Sequence, residues 1–243
     1  TLVQDAAIGA TSTGVPNTAF PSLAVFGGSV AGMDYALRSK GASVRIDDTS
    51  AVAGSNLTLA GDTGVDINGN LGVAGLDLET AANLSGSVAS SGDVTIRGPL
   101  SLDGTGAQSL SAGAGVLGAT GAISKQGAGA LALGGRQVSV SAVTTGRTGD
   151  SLSITGSEGV TTGALNASGA LGMDGGDVSI DGGTGSVVVA SITTRGASGP
   201  VSTTAPTDGH DGGNVAVSGA TIAIGSVDSR GGDASAIAEG TTE

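Results

Sequence analysis

The stretch DGGDVSID at residues 174–181 and the stretch DGGNVAVS at residues 211–218 are two copies of one pattern, 37 residues apart. Each copy opens on Asp-Gly-Gly and continues as a run in which aliphatic residues alternate with small polar ones. Gly and Asp favour tight turns, and alternation with a period of two is typical of a strand with one buried face. The recurrence therefore predicts a repeated β architecture.

The same alternation recurs along most of the chain after residue 40. Each run places aliphatic residues at positions i and i+2, with Ser, Thr, Arg or Ala between them, and stops at Gly or Asp. We predict strands at eight of these runs: SVRID (43–47), NLTLAG (56–61), DVTIRG (93–98), ALALGG (130–135), QVSVSA (137–142), SLSITG (151–156), DVSIDG (177–182) and NVAVSG (214–219).

The runs are also regularly spaced. Asn56 to Asp93 is again 37 residues, and SVVVASITTRG (186–196) matches TIAIGSVDSRG (221–231) at an offset of 35. Aliphatic positions persist between the copies while the residues between them change, as a shared inward face requires. Such a repeat cannot bury its apolar face alone and must stack on the next copy. At roughly 20 residues per coil, the offset of 35–37 residues would cover nearly two coils.

These features favour an all-β fold, a parallel β-helix (β-solenoid), over residues 41–243. Small aliphatic side chains suit a narrow interior, and the chain has only one Tyr, two Phe and no Trp. A β-sandwich would need more aromatic residues, and the alternation is too regular for a disordered tract. Residues 1–40 differ in composition from the rest of the chain. We assign them to a divergent N-terminal cap, linker or insertion with one short helix at VAGMDYALRSK (30–40).

Composition excludes several classes of function. The chain has 21 acidic and 9 basic residues, a net charge of −12, so it repels phosphate and nucleic-acid binding is not expected. It has no cysteine, which excludes disulfides and thiolate metal sites. No apolar run approaches the length that spans a membrane. Because the sequence starts on Thr rather than Met, we expect a mature form or a fragment of a longer protein.

Two stretches resemble bacterial surface proteins. The later runs, such as GGDVSIDG, resemble the strands of filamentous-haemagglutinin-type large exoproteins. ISKQGAGALALGG (123–135) is similar to the autotransporter-associated β-strand repeat, K-x-G-x-G-x-L-x-L-x-G, on Lys125, Gly127, Gly129, Leu131, Leu133 and Gly135. The later aromatic positions of that repeat are missing here. The resemblance implies a right-handed β-helix that is secreted or displayed on the bacterial surface as an adhesin.

Three acidic turn residues are weak candidates for calcium ligands: Asp174, Asp177 and Asp181. A repeat-in-toxin calcium motif needs an Asp where GGTGSVVV (182–189) has Val187. An Asp at a turn is also explained by hydrogen bonds from its own carboxylate to nearby backbone groups. We therefore predict no metal site and no cofactor, with these three aspartates as the weak exceptions.

Other motifs give little support for catalysis. His210 is the single histidine and lies between Asp208 and Asp211 in a Gly-rich turn, where we predict no catalytic role. GAGVLG (113–118) matches the dinucleotide fingerprint G-x-G-x-x-G, but no helix pattern follows it. Arg195 and Arg230 recur at one position of the repeat, where we expect a solvated stripe paired with neighbouring Asp; a ligand-facing stripe is the alternative. We predict that the chain is not an enzyme.

These observations predict a non-catalytic structural or adhesive segment of a bacterial secreted or cell-surface exoprotein. It would be a stiff stalk for adhesion, biofilm or display, located outside the cell or on its outer surface. Its partners would be a host or neighbouring cell surface, a glycan or further copies of itself, without nucleic acid or membrane insertion. Two alternatives stay open: a self-assembling extracellular filament or sheath, and a β-helical polysaccharide lyase or hydrolase, which needs paired carboxylates in a cleft.

Overall fold

The computed structural model describes residues 2–4, 22–25, 34–39, 41, 43–47, 49–145, 149–200 and 207–235. The fold is all-β, and the part described contains one helical turn, a 3-10 helix at Thr49–Val52. The strands in chain order are β1 (Leu2–Gln4), β2 (Ser22–Val25), β3 (Asp34–Ser39), β4 (Ser43–Ile46), β5 (Asn56–Gly61), β6 (Val65–Ile67), β7 (Leu71–Val73), β8 (Gly75–Leu78), β9 (Ala82–Leu84), β10 (Val88–Ser90), β11 (Val94–Ile96), β12 (Leu100–Leu102), β13 (Gln108–Ser111), β14 (Val116–Ala119), β15 (Ile123–Lys125), β16 (Leu131–Gly135), β17 (Gln137–Thr144), β18 (Leu152–Gly156), β19 (Gly159–Asn166), β20 (Val178–Asp181), β21 (Ser186–Thr193), β22 (Val215–Ser218) and β23 (Thr221–Asp228). All eight runs predicted as strands contain one.

The strands form one 16-stranded and one 7-stranded sheet, and their pairings are parallel. From β5 to β14 each strand pairs with the third strand after it, whereas β15 pairs with the second half of β17. This order produces three ladders, in which corresponding strands of successive turns of the chain lie side by side. The first ladder is β3, β5, β8, β11 and β14; the second is β1, β2, β4, β6, β9, β12 and β15; the third is β7, β10, β13, β16, β18, β20 and β22.

The first and second ladders merge at β17. This eight-residue strand pairs with β14 through its first half and with β15 through its second half. The long strands β19, β21 and β23 follow it in the same register. We call one turn of the chain through the ladders a layer: three short strands before Gly135, and one long and one short strand after it.

The interior is a column of aliphatic side chains. Within the short strands β5, β8, β11 and β14 buried residues alternate with less buried ones, and register places the buried residues Leu57, Leu76, Val94 and Leu117 over one another. The buried apolar residues described are Val, Leu, Ile and Ala. Burying each of the larger ones contributes about 1.5–3 kcal/mol. Alternation in the sequence therefore reports the inward face correctly.

The register of the long strands is interrupted at one position where the two ladders meet, and Gly163 and Gly225 lie at this interruption. A Cβ on Gly163 would collide with the carbonyl oxygen of Ser141 in the adjacent layer, and a Cβ on Gly225 would collide with that of Ala190. Glycine is therefore required because the backbones of neighbouring layers approach too closely there for a side chain.

The helix predicted at 30–40 is wrong for the residues described in that range. Asp34–Ser39 is strand β3, which pairs with β5 over six residues, placing Tyr35 beside Leu57 and Leu37 beside Leu59. Ala, Leu and Arg favour a helix locally, but burial of Leu37 and pairing with β5 override that preference. Residues 30–33 and 40 lie outside the described part. The division at residue 40 stays a prediction, and β1, β2 and β3 belong to the same sheet as the strands after it.

The prediction that the 35–37 residue offset covers nearly two coils is wrong in the C-terminal part. Val178 pairs directly with Val215, and Val187 pairs directly with Ile222, so each offset is a single layer. Between β5 and β11 the same number of residues covers two layers, because β8 lies between them. The connections between the later strands are longer. The alternating pattern that marks the strands carries no information on the length of these connections.

Candidate functional site

The two Asp-Gly-Gly turns that open the sequence pattern lie in adjacent layers and are joined through their carboxylates. Asp177 Oδ1 accepts hydrogen bonds from the backbone N–H of Asn214 at 2.7 Å and from its side-chain amide at 3.1 Å. Asp174 Oδ1 accepts one from the backbone N–H of Asp211 at 3.0 Å. The donor in each case lies 37 residues after the acceptor, so the repeat aligns a carboxylate with the turn of the next layer.

Asp181 completes this series at the end of β20. Its Oδ1 accepts a hydrogen bond from the Ser218 hydroxyl at 3.0 Å, again 37 residues later, and one from the backbone N–H of Gly183 at 3.0 Å. These two bonds, the one from Gly183 first, lower the pKa of Asp181 because they favour its charged form. Gly183 adopts a left-handed conformation, φ 54°, that forms the turn.

The three weak calcium candidates are therefore used as acceptors for protein donors. Within the part of the chain that the structure describes, no three His, Asp or Glu side chains converge on a possible metal position. Calcium binding at Asp174, Asp177 and Asp181 stays a prediction. Their geometry supports the simpler interpretation made from the sequence, that an aspartate at a turn binds backbone N–H groups.

His210 belongs to the same stack of turns. Its Nδ1 lies 3.3 Å from Asp174 Oδ1, its backbone N–H donates to the carbonyl of Ala197 at 2.9 Å, and its own carbonyl accepts from the N–H of Gly232 at 2.7 Å. These backbone bonds connect the segment before β22 to the segments that follow β21 and β23. That His210 has no catalytic role stays a prediction.

Arg195 and Arg230 share one carboxylate, that of Asp228. The Arg230 guanidinium forms two hydrogen bonds of 2.8 Å to Asp228, and Arg195 Nε lies 3.8 Å from it. The side-chain bond from Arg230 is the main reason why the pKa of Asp228 is lowered to about 2. The expected pairing of the arginine stripe with a neighbouring aspartate is confirmed.

GAGVLG at 113–118 forms a turn followed by a strand. Gly113 has φ 51°. Strand β14 begins at Val116, and the backbone N–H of Val116 donates a hydrogen bond to Asp93 Oδ1 at 2.8 Å. A dinucleotide-binding loop needs a helix N-terminus at this point, whereas the residues that follow are strand β14 and pair with β11 and β17. The match to the fingerprint reflects the high glycine content.

A buried lysine is the feature that reasoning from the sequence missed. Lys125 is 1% exposed, and its Nζ donates to the carbonyl oxygens of Gly104 and Gly127 at 2.9 Å and of Ala128 at 3.3 Å. Burial lowers the pKa of Lys125, opposed by the nearby charges of Asp150 and Asp103. The ammonium thus satisfies three carbonyls at a corner between the second and third ladders.

Gln108 lies at the same corner and is 4% exposed. Its amide nitrogen donates to the carbonyl oxygens of Leu84 at 3.2 Å and Gly86 at 2.6 Å, while its Oε1 is buried without a hydrogen-bond donor among the described residues. The corner is therefore a polar seam in an otherwise aliphatic interior. Strand patterning marks Lys125 only as the last inward position of β15, so its three acceptors become visible only when the layers are stacked.

Charged residues are distributed unequally over the outer surface. Beside the first ladder lie the ion pairs Arg38–Glu79 at 2.6 Å and Arg97–Asp77 at 2.8 Å, and beside the second lies Arg45–Asp47 at 2.7 Å. In the third ladder the outward positions hold small residues with one carboxylate, Asp181. In register they are Gly72, Ala89, Ser111, Gly134, Thr155, Asp181 and Ser218, and beside them Ser109, Ala132, Ser153, Ser179 and Ala216.

A polar groove lies on the second ladder. It is a shallow cavity of about 180 Å³ lined by Arg45, Asp66, Ile67, Asn68, Asn83, Ser85 and Asp103. Register stacks Arg45, Asp66 and Asn83 across three strands, and Asn83 Nδ2 donates to Asp66 Oδ1 at 2.9 Å. Amides and carboxylates on adjacent layers offer donors and acceptors that suit a ligand rich in hydroxyl groups. This groove is the candidate binding surface.

Comparison with known protein families, with curated proteins and with solved structures gave no match. Among the described residues no helix is long and apolar enough to cross a membrane.

Proposed function

We propose that the chain is a right-handed parallel β-helix that serves as a non-catalytic stalk in a bacterial secreted or cell-surface exoprotein. The observation that carries this proposal is the continuous parallel stacking of corresponding strands around one aliphatic column. Stacking of this kind adds length without adding width. With strands about 4.8 Å apart, the layers from β1 to β23 extend over about 50 Å.

Stiffness in such a stalk comes from the direction of its hydrogen bonds. Backbone bonds between layers, such as Leu76 N–H to Asp93 O at 2.9 Å and Val178 N–H to Asn214 O at 2.8 Å, run along the stacking direction. Bending the stalk would stretch many of these bonds at once. The acidic turn residues and the ion pairs on the outer faces add links between layers and keep the surface soluble.

Adhesion is assigned to the groove on the second ladder. Asp66, Asn83 and Asp103 present hydrogen-bonding groups toward solvent. The outer faces next to the groove carry either ion pairs or small residues. A glycan on a host or neighbouring cell fits this chemistry, because its hydroxyl groups both donate and accept hydrogen bonds. The net charge of −12 disfavours nucleic acid and anionic membrane surfaces as partners.

A structural role accounts for the ionisable groups better than a catalytic role. Glu79, Asp77, Asp47 and Asp228 each lie 2.6–2.8 Å from an arginine, and the single histidine is held by turn backbone. Catalytic carboxylates need a free pair flanking a substrate. The alternative of a polysaccharide lyase or hydrolase would have to use Asp66 and Asp103, the two carboxylates that line the groove, and Asp66 already accepts a hydrogen bond from Asn83 at 2.9 Å.

The test is binding of the purified chain to bacterial and host cells and to immobilised glycans. We expect saturable binding that Asp66→Ala weakens at least tenfold and that Glu158→Ala leaves unchanged. Glu158 is a matched control because it is an exposed carboxylate that pairs with Arg136 away from the groove. Equal binding by both variants would contradict the groove assignment. Cleavage of an acidic polysaccharide by the chain would contradict the non-catalytic role.

A further inference from the structure

A second cavity lies beside the polar groove on the same ladder. It has a volume of about 240 Å³, and its lining includes Gly64, Ala81, Pro99 and Ala122, which precede the strands β6, β9, β12 and β15. Asn83 lines both cavities. The two cavities therefore form one continuous surface, which we call the second-ladder face, and it extends over the five stacked strands β4, β6, β9, β12 and β15.

One edge of the second-ladder face is apolar. Ala81, Pro99 and Ala122 are exposed and occupy equivalent places in three successive layers. Backbone hydrogen bonds fix this stacking, because the N–H of Ala82 donates to the carbonyl of Pro99 at 2.9 Å and the N–H of Leu100 donates to that of Ala122 at 2.9 Å. We call Ala81, Pro99 and Ala122 the apolar column.

The middle and the opposite edge of the face are polar. Asp66, Asn83 and Ser101 are in register on adjacent strands, with their side chains on the outer side of the sheet. Ser85 and Asp103 come directly after β9 and β12 and line the same groove. Each layer therefore changes from an apolar group to hydrogen-bonding groups across the width of the face.

This arrangement repeats once per layer, with a spacing of about 4.8 Å. A complementary ligand must repeat at the same interval and present an apolar side and a hydrogen-bonding side along its whole length. An extended β-linked chain of pyranose sugars meets both conditions. Each ring is about as long as one layer spacing, carries C–H groups on its faces and carries hydroxyl groups at its rim, which both donate and accept hydrogen bonds.

The charge of the face selects against acidic sugars. Among the residues that line the two cavities the cation is Arg45, and its Nε lies 2.7 Å from Asp47 Oδ1. The other charged lining residues are Asp66 and Asp103. A uronate or sulfate group would therefore meet like charges, whereas a neutral sugar can donate hydroxyl hydrogens to these carboxylates.

We propose that the second-ladder face binds a neutral, extended, β-linked polysaccharide that lies along the stacking direction, with one sugar ring on each layer. The C–H groups of the rings pack on the apolar column, and the hydroxyl groups bind Asp66, Asn83 and Asp103. This inference rests on the proposed adhesive role of the groove and adds the class of glycan, its direction and the contribution of the apolar column.

The first experiment measures how affinity depends on the length and charge of the glycan. The full 243-residue chain is titrated calorimetrically with cello-oligosaccharides of increasing length, and with the same oligosaccharides oxidised to the uronate at C6. We expect affinity to rise with each added glucose up to about five residues, one for each layer of the face. We expect the uronates to bind about tenfold more weakly. Affinity that is independent of length, or equal for the two series, would overturn the proposal.

The second experiment tests the apolar column with Ala81→Asp. The added carboxylate would lose hydration against the sugar ring, so we expect the affinity for cellohexaose to fall by about tenfold. Ala89→Asp is the matched control, because Ala89 is an equally exposed alanine on the outer side of the third ladder, and we expect no change. Circular dichroism checks that both variants are folded. Equal affinities of the two variants would overturn the role of the apolar column.

Failure of this inference can be distinguished from failure of the adhesive role. Binding to cells or other glycans that depends on Asp66, without binding of cello-oligosaccharides, would overturn the neutral polysaccharide and leave the adhesive groove standing. Absence of binding to cells, to immobilised glycans and to cello-oligosaccharides would overturn both.

Discussion

The part of the molecule from β5 to β16 and the part from β17 to β23 have one architecture with different layer lengths. In the first part, corresponding residues of adjacent layers are 17–23 residues apart, as for Val65 and Ala82 or Leu100 and Ile123. In the second part the separation rises to 35 and 37, as for Val187 and Ile222 or Val178 and Val215. Strand register is maintained in both parts, so the extra residues lie in the connections.

This difference shows that the offset of the sequence repeat does not equal the number of residues in one structural layer. An offset of 37 residues covers two layers between Asn56 and Asp93 and one layer between Asp177 and Asn214. The inward face requires aliphatic residues at set places within each strand, whereas a surface connection tolerates large changes in length. The column of buried residues is therefore the common element, and the connections vary around it.

The largest effect is expected from a charge placed inside the second part. Val187→Asp puts a carboxylate where the side chain is 0% exposed, and we expect unfolding to require about 3–5 kcal/mol less free energy. Val188→Asp is the control, because the adjacent residue faces outward and is 43% exposed. Urea unfolding followed by circular dichroism measures both. Equal losses in the two variants would contradict the assignment of the inward face.

In the part from β5 to β16, a large loss of stability is expected from removing a buried polar group. Lys125→Met keeps the length of the side chain but leaves the carbonyls of Gly104, Gly127 and Ala128 without their donor, and we expect a loss of about 1–3 kcal/mol. Gln126→Met changes the exposed neighbour and serves as control. A stability of Lys125→Met equal to that of the unmodified chain would show that the buried ammonium is not needed at this corner.

A smaller effect is expected from the carboxylates that join the late layers. Asp177→Ala removes the acceptor for both donors of Asn214, and we expect a loss of about 1 kcal/mol, which lowers the melting temperature by about 2–4 °C in a chain of this size. Asp177→Asn retains an acceptor oxygen and should lose less. If calcium raises the melting temperature of the unmodified chain but not of Asp177→Ala, the weak calcium assignment would be supported instead.

The smallest effect concerns the pH dependence of the last layer. Because the pKa of Asp228 is lowered to about 2 from an ordinary value of 3.8, its stabilising contribution is complete above pH 4 and is lost as the pH falls through 2. We expect the melting temperature of the unmodified chain to fall more than that of Asp228→Asn between pH 4 and pH 2. Parallel curves for the two proteins would contradict a role for the Asp228–Arg230 pair.

The eight strands predicted from the sequence, out of 23 in the structure, are those with clear alternation of aliphatic and small polar residues, which depends only on which face is buried. The partner of each strand could not be predicted, since pairing depends on connection lengths that carry no apolar pattern. Asp34–Ser39 shows the same limit, because its helix-favouring residues are held as a strand by β5. Local patterns specify a face, and stacking determines its neighbours.

The candidate site also has a part that could be predicted from the sequence and a part that could not. Turn chemistry predicts that Asp174, Asp177 and Asp181 bind backbone or nearby polar groups, and the structure brings each one to the residue 37 positions later. The groove and the Lys125 corner could not be predicted, because each is assembled from three or more layers that are distant in sequence.

The most direct test of the layer assignment compares two pairs of residues with the same separation in sequence. Val188 and Ala223 are 35 residues apart and are neighbours in adjacent strands, whereas Asp66 and Ser101 are also 35 apart but are separated by Asn83 in an intervening strand. Cysteines at the first pair should lie about 4.8 Å apart and at the second pair about 9.6 Å apart, and a disulfide cannot span more than about 7 Å between Cα atoms. We predict that oxidation crosslinks Val188→Cys/Ala223→Cys within one chain and leaves Asp66→Cys/Ser101→Cys free. Efficient crosslinking of the second pair, or failure of the first, would contradict the stacked layers.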